Sequence, residues 1–260
     1  MRTTISGTAA AVLLVTTGGV LAADLSAPSG AKDAPAYALP WTGFYAGVNV
    51  GAGTSTKSFS NGRGGTDYDA PSDGIALGTG DVEGVIGGGQ AGYNYQAGKF
   101  LFGLEGEVEA SGVGGHTSLH YYGATGDLKD SIDWIGTLTA RAGVIFQENT
   151  LYYIKGGVAW DSSQYGLSAL NPYQTAAYPK VSDDRAGWVL GFGAEYLITP
   201  RWSAKAEYEY LDFGSRTVAF PEGTGALASA FTTDVDHKLQ IVKIGLNYKL
   251  GSGSDYVPLK

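Results

Sequence analysis

An all-β fold, an eight-stranded antiparallel transmembrane β-barrel of up-and-down topology, is predicted by three observations in this 260-residue sequence. Eight segments alternate apolar and polar residues over the roughly ten positions that a tilted strand needs to cross a bilayer. Their connectors run long, short, long, short to the end of the chain. After the first two dozen residues, no run is long and apolar enough for a membrane helix.

The N-terminus sets the compartment. Arg2 precedes an uncharged run from Ile5 to Leu21 that ends in small residues, the pattern of a secretory signal peptide, and Val20-Leu21-Ala22 supplies its cleavage signal. Residues 1–22 are therefore read as signal peptide. Residues 23–40, with Pro28, Pro35 and Pro40 among Ala and Ser, read as a flexible periplasmic leader. The barrel is assigned to 41–250 and a tail to 251–260. The sequence has no Cys, which excludes a lipoprotein anchor, a disulfide and a thiolate metal site. Its 41 Gly, 12% aromatic and 16% charged residues are unusual for a soluble enzyme. Arg2 is one of 17 basic residues, so the mature chain keeps 16 against 25 acidic ones, a balance that argues against nucleic acid as a partner.

The eight strands are placed at Phe44–Gly53, Val82–Gln96, Phe100–Ala110, Ile132–Phe146, Leu151–Asp161, Ala186–Ile198, Trp202–Phe213 and Leu239–Leu250. In the second, Val85, Gly87, Gly89, Ala91, Tyr93 and Tyr95 share one face, opposite Gln90, Asn94 and Gln96. In the seventh, Ala204, Ala206, Tyr208 and Tyr210 oppose Lys205, Glu207 and Glu209. Successive side chains of a strand point to opposite faces, so one face suits lipid and the other a polar interior. Connectors after strands two, four and six have tight-turn length, and those after strands one, three, five and seven run about twenty residues or more. Outer-membrane barrels put short turns in the periplasm and long loops outside, which places both ends of the barrel in the periplasm.

Two aromatic belts follow from this topology, because amphipathic rings favour the membrane–water boundary. Tyr93, Tyr95, Phe102, Tyr152, Tyr196, Trp202 and Tyr248 fall at the short-turn end; Trp134, Trp160 and Trp188 fall nearer the long loops. The lumen face collects Glu105, Glu107, Glu109, Glu195, Glu207 and Glu209 with Arg141, Lys155, Lys205 and Lys243. Ionised groups in a narrow barrel must largely pair, and eight strands enclose a space that side chains fill. A plugged barrel is expected rather than a wide pore. Leu138, Val158 and Leu190 are expected to face lipid near mid-strand.

Gly87-Gly88-Gly89-Gln90-Ala91-Gly92 matches a dinucleotide-binding pattern only in letters, since no helix pattern follows it. His116 and His120 are four apart, a ligand spacing on a helix, but fall in a Gly- and Ser-containing loop; with Tyr121 they are the candidates for a ligand contact, and no metal site or cofactor is expected. No His is seen on a lumen or lipid face beside a Ser, so no triad and no enzyme activity is expected. The four long loops are each net acidic, with Lys57 counted in the first, Asp130 in the second and Asp161 in the third.

Trp41-Thr42-Gly43-Phe44-Tyr45-Ala46-Gly47, Gly88-Gly89-Gln90-Ala91-Gly92-Tyr93-Asn94-Tyr95-Gln96, Leu151-Tyr152-Tyr153-Ile154-Lys155-Gly156-Gly157, Ala206-Glu207-Tyr208-Glu209-Tyr210 and Val242-Lys243-Ile244-Gly245-Leu246-Asn247-Tyr248 carry a resemblance. Over about 41–250 the chain resembles the small outer-membrane barrels of alphaproteobacteria, the RopB-type porin-family group. Such barrels commonly end on an aromatic residue, whereas here ten residues follow Leu250. The resemblance implies a surface antigen of a Gram-negative outer membrane that contributes to envelope integrity, and alternatively a small-solute porin or a hemin-binding receptor. The partners it implies are outer-membrane lipid and lipopolysaccharide, the barrel assembly machinery, and hemin or host surface molecules.

Overall fold

A computed structural model describes residues 40–61, 76–121, 124–168, 180–220 and 231–250. The stretches read from sequence as signal peptide and leader, up to residue 39, and as tail after Leu250 lie outside the described residues. Nine strands are present among those described: β1 (Gly43–Asn61), β2 (Ala76–Ala97), β3 (Phe100–Ser111), β4 (Gly114–Tyr121), β5 (Ala124–Phe146), β6 (Thr150–Ser168), β7 (Val181–Leu197), β8 (Trp202–Phe220) and β9 (Phe231–Lys249). All pairings are antiparallel, and β1 pairs with both β2 and β9, which closes the sheet into a ring. A closed ring leaves no edge of unpaired backbone groups, the condition for strands to cross lipid.

The nine strands form eight walls. Both β3 and β4 pair with β2 and β5, so they are two pieces of one wall interrupted at Gly112 and Val113. The interruption turns the Val113 side chain fully inward. A second irregularity sits in β5, where Asp133 is the extra residue between Ile132 and Trp134. That bulge lets Ile132 and Ile135 both face the lumen although they differ in parity.

The walls extend further than the hydropathy pattern. β1 runs to Asn61 instead of stopping near Gly53, and the β4–β5 hairpin fills most of the stretch read as loop two. The outward positions of β1 explain it: Phe44, Val48 and Val50 are exposed and apolar, whereas Thr54, Thr56 and Ser58 are exposed and polar. The backbone ladder continues past the level at which apolar alternation ends.

The interior is stratified, as the inward face of β6 shows in order: Leu151, Tyr153, Lys155, Ala159, Asp161, Ser163 and Tyr165, all buried. At the short-turn end Trp41, Leu101, Ile145, Leu151 and Tyr153 pack together, with Leu197 against them. A charged layer follows. Above it Val82, Ile86, Val113, Ile132, Ile135, Ala159, Val189, Leu211, Phe213, Leu239 and Ile241 form an apolar septum across the lumen. A second polar layer lies beyond the septum.

Candidate functional site

The charged layer between the two apolar ones is built by strand alternation alone. Glu105, Glu107 and Glu109 occupy successive inward positions of β3; Glu207 and Glu209 those of β8, next to Lys205; Lys155, Lys243, Arg141 and Glu195 come from β6, β9, β5 and β7. All ten are buried. Lys155 lies 3.2 Å from Glu105, 2.7 Å from Glu107 and 3.2 Å from Glu207, and also pairs with Glu209. Lys205 reaches Glu105 at 3.3 Å, Glu107 at 3.0 Å and Glu207 at 2.8 Å. Lys243 completes the set with Glu107 at 2.9 Å, Glu109 at 3.0 Å and Glu209 at 3.0 Å.

Arg141 anchors the short-turn side of the layer. Its guanidinium donates to Glu195 at 3.1 Å and to Asn94 at 3.0 Å, lies 3.7 Å from Glu105, and sits between the rings of Tyr45 and Tyr153 at 4.7 and 5.2 Å. Cation–π contacts of this kind gain strength where water is excluded. Carboxylate oxygens of Glu105, Glu107 and Glu207 lie within 4.8 Å of one another, close enough to share a cation. The ammonium groups of Lys155 and Lys205, each 2.7–3.3 Å from all three carboxylates, take that place.

Sequence reasoning placed Gln90 and Asn94 on the polar face of the second strand but missed the other neutral partners. Tyr45 donates to Glu105 at 2.7 Å, Tyr153 to Glu207 at 2.6 Å and Asn247 to Glu195 at 2.9 Å, while Gln90 links Asn49 and Asn247 at 2.9 and 2.8 Å. The signal was parity, because Tyr45 alternates in phase with Asn49, and Tyr153 with Lys155. Two glycines make room for these rings: a Cβ on Gly92 would stand 2.4 Å from the Tyr45 hydroxyl, and one on Gly193 would stand 2.8 Å from that of Tyr153.

The outer surface divides as a membrane requires. Tyr93, Tyr95, Phe102, Tyr152, Tyr196 and Trp202 are exposed at the short-turn end, where Tyr248 packs against Trp202 at a steep tilt with ring centroids 5.0 Å apart. Trp134, Trp160 and Trp188 are exposed at the other margin, Trp188 packing on Tyr210 at 5.6 Å. Leu138, Val158 and Leu190 face outward near the middles of β5, β6 and β7, and because the strands extend past the apolar band they lie only one or two outward positions inside Trp134, Trp160 and Trp188, nearer its outer margin than its centre.

Three expectations are corrected. His116, His120 and Tyr121 are not in a loop but in β4, opposite Lys129, Thr125 and Ala124 of β5. In a strand, four residues separate the histidine backbones by about 13 Å, too far for one metal ion. Lys57, Asp130 and Asp161, counted as loop charges, are buried in the second polar layer, where Lys57 and Asp130 pair at 2.8 Å. A His does stand on the lumen face: His237 is fully buried there, 3.5 Å from Asp161, which accepts a hydrogen bond from Ser163.

A ring of strands with an apolar exterior, two aromatic margins and a filled polar interior defines an integral membrane β-barrel protein. The chain matches the family model described as outer membrane protein beta-barrel domain over residues 10–249, and it belongs to that family. It is 33% identical over 238 residues to the 31 kDa outer-membrane immunogenic protein of Brucella melitensis, spanning 88% of this chain and 92% of that protein. To the 22 kDa outer membrane protein of Rhizobium leguminosarum bv. viciae it is 26% identical over 229 residues, with 84% and 83% covered. These relatives agree with the alphaproteobacterial group that the sequence resembles. Among solved structures, the outer membrane protein OprG from Pseudomonas aeruginosa shares the fold, with a TM-score of 0.50 at 14% identity over 82% of this chain and 99% of that one. The protein is an outer-membrane β-barrel protein.

Proposed function

We propose that this barrel is a non-catalytic structural and surface-exposed protein of the outer membrane, which contributes to envelope integrity and presents its long connectors to the exterior. One observation carries the reading: the lumen is closed twice, by the Trp41 layer at the short-turn end and by the Val82 to Ile241 septum above the charges. Between these layers each of the four bases meets at least two carboxylates. A solute would have to displace apolar packing at two levels and break a buried ion network between them, so the barrel acts as a rigid post. Residues 1–22 act as the export signal, and the barrel assembly machinery inserts the mature chain with the short turns in the periplasm. Acidic side chains exposed on the strand extensions, Asp81, Glu83 and Asp184 among them, meet lipopolysaccharide phosphates through divalent cations. Kinship with an immunogenic protein supports surface display.

Single-channel recording of the refolded mature barrel in a planar bilayer tests this. A flat baseline is expected. A steady conductance on the nanosiemens scale overturns the closed-lumen reading and makes the protein a small-solute porin.

A further inference from the structure

The two closures of the lumen are built differently. Every residue of the septum except Val113 belongs to a strand, so the septum cannot leave without unzipping backbone ladders. At the short-turn end the largest piece, Trp41, stands on residues 40–42, which precede β1. These residues cross the mouth and are tied at three points of its rim. Lys249 at the end of β9 donates from Nζ to the Pro40 carbonyl at 2.9 Å, and the Trp41 indole N–H donates to the Glu148 carbonyl in the β5–β6 turn at 3.0 Å. Near the end of β2, Gln96 accepts from the Trp41 backbone N–H at 3.3 Å and donates its own backbone N–H to Thr42 Oγ1 at 3.0 Å.

All four bonds are half-buried, so water replaces them at little cost when the segment lifts. The joint between segment and wall is Gly43, whose φ of +135° is a conformation that residues with a Cβ rarely adopt. It turns the chain from β1 inward over the mouth, and a Cβ there would stand 3.1 Å from Lys249 Cε. Against the segment lies a cavity of about 20 Å³, the size of one water molecule, lined by Tyr45, Asn94, Glu195, Ser203 and Asn247 beside Trp41. Asn94 and Glu195 are the partners of Arg141, so this niche is the antechamber of the charged layer.

We propose that residues 40–42 are a hinged stopper: turning about Gly43, they leave the mouth as a unit and admit water to Glu195 and Arg141, while the septum keeps the rest of the lumen shut. Elements held by half-exposed bonds open locally at less cost than the whole fold, and hinges are a few element-terminal residues that absorb the backbone change. The closed state dominates, because the indole must leave Leu101, Ile145, Leu151 and Tyr153. The lumen is thus a one-ended chamber facing the periplasm. The chain before residue 40 continues directly into the stopper, so a partner that binds or pulls it there acts on Trp41 without passing through a strand. The proposal rests on the closed-lumen reading, whose failure is seen separately as conductance of the parent barrel.

The sequence has no Cys, so a single introduced thiol reports its own position. The test uses the refolded mature barrel in detergent micelles, with Ser203→Cys in the niche or Ser163→Cys in the second polar layer beyond the septum, each followed by its rate of reaction with a maleimide. Both serines are buried. Lys249→Met removes the latch on Pro40 and should speed the reaction of Ser203→Cys by roughly tenfold, the scale of one hydrogen bond, while Ser163→Cys keeps its rate. Gly43→Ala denies the joint its backbone conformation and should speed Ser203→Cys further. The folded gel band of each variant shows that the walls are intact. A Ser203→Cys rate that neither variant raises, or a rise that Ser163→Cys shares, overturns the proposal.

Discussion

Lys243 of β9 donates a 2.9 Å hydrogen bond to Glu107 of β3, a residue 136 positions away and on a wall that β9 does not touch. Glu107 also accepts from Lys155 of β6 and Lys205 of β8. A single carboxylate thus gathers ammonium groups from three walls onto a fourth, and the charged layer acts as a cross-brace inside a sheet whose backbone bonds run only between neighbours.

The glutamates of this brace are not equivalent. Six carboxylates meet four bases, and Glu109 reaches only Lys243 among them, with one oxygen lacking a hydrogen-bond partner. Glu107→Gln removes the one carboxylate that Lys155, Lys205 and Lys243 share, although each keeps others, and should cost about 1.5–3 kcal/mol, the scale of a hydrogen bond to a charged group. Glu109→Gln removes part of an acidic excess and should leave stability unchanged or raise it. Urea unfolding of the two variants in lipid vesicles gives the comparison; an equal loss in both would mean that the ion pairs do not brace the lumen.

Arg141 depends on shape as well as charge. Its planar group is sandwiched by Tyr45 and Tyr153 while bonding Glu195 and Asn94. Arg141→Ala should lose about 3–5 kcal/mol by stranding Glu195. Arg141→Lys should recover only part of it, since an ammonium keeps the charge but loses the fork and the flat stacking surface. The temperature at which the folded gel band shifts to the unfolded one reports both. Full recovery by Lys would show that the tyrosine sandwich contributes nothing.

Trp41 is the stopper at the short-turn end. Its indole N–H donates to the Glu148 carbonyl at 3.0 Å, and its backbone N–H lies 3.3 Å from the Gln96 side-chain oxygen, so it bridges two turns while its ring packs on Leu101 and Leu151. Trp41→Ala should cost about 3–5 kcal/mol for a buried aromatic and speed amide exchange at Tyr45 and Tyr153 without opening a channel, because the septum above the charges remains. A conducting Trp41→Ala barrel would show that the septum is not a seal.

Most of the membrane-embedded part was legible from sequence because lipid outside and charge inside impose a period of two on every wall: the face of Glu105, Glu107 and Glu109 against that of Leu104 and Val108 is the clearest case. The extension of the walls was hidden for the same reason. Where Thr54, Thr56 and Ser58 face water and Ser55 and Lys57 face a polar lumen, both faces are polar and the alternation disappears although the ladder does not. Lys57, Asp161 and His237 therefore looked like loop residues. The extra residue at Asp133 and the turn of chain at Gly214, with φ +67°, shift parity, which no periodic pattern reveals in advance. Tyr45 and Tyr153 escaped notice because aromatic residues occupy both faces.

Depth within the membrane gives the last prediction. On β9 the outward series runs Tyr248, Leu246, Ile244, Val242 and Gln240, which sets Ile244 at its centre, between an aromatic margin and the first polar position. Leu190 on β7 is instead the next outward position to Trp188. An arginine at the bilayer midplane of a barrel costs about 2–4 kcal/mol, and one near the interface about 0–1. Ile244→Arg should therefore destabilise the barrel several times more than Leu190→Arg when both are unfolded with denaturant from vesicles. Leu190→Arg has a short path for its guanidinium to the headgroups past Trp188, and Ile244→Arg has none. Equal costs at the two positions would mean that the rings of Trp134, Trp160 and Trp188 do not mark the outer boundary of the hydrocarbon, and the barrel would have to be shifted along its axis in the membrane.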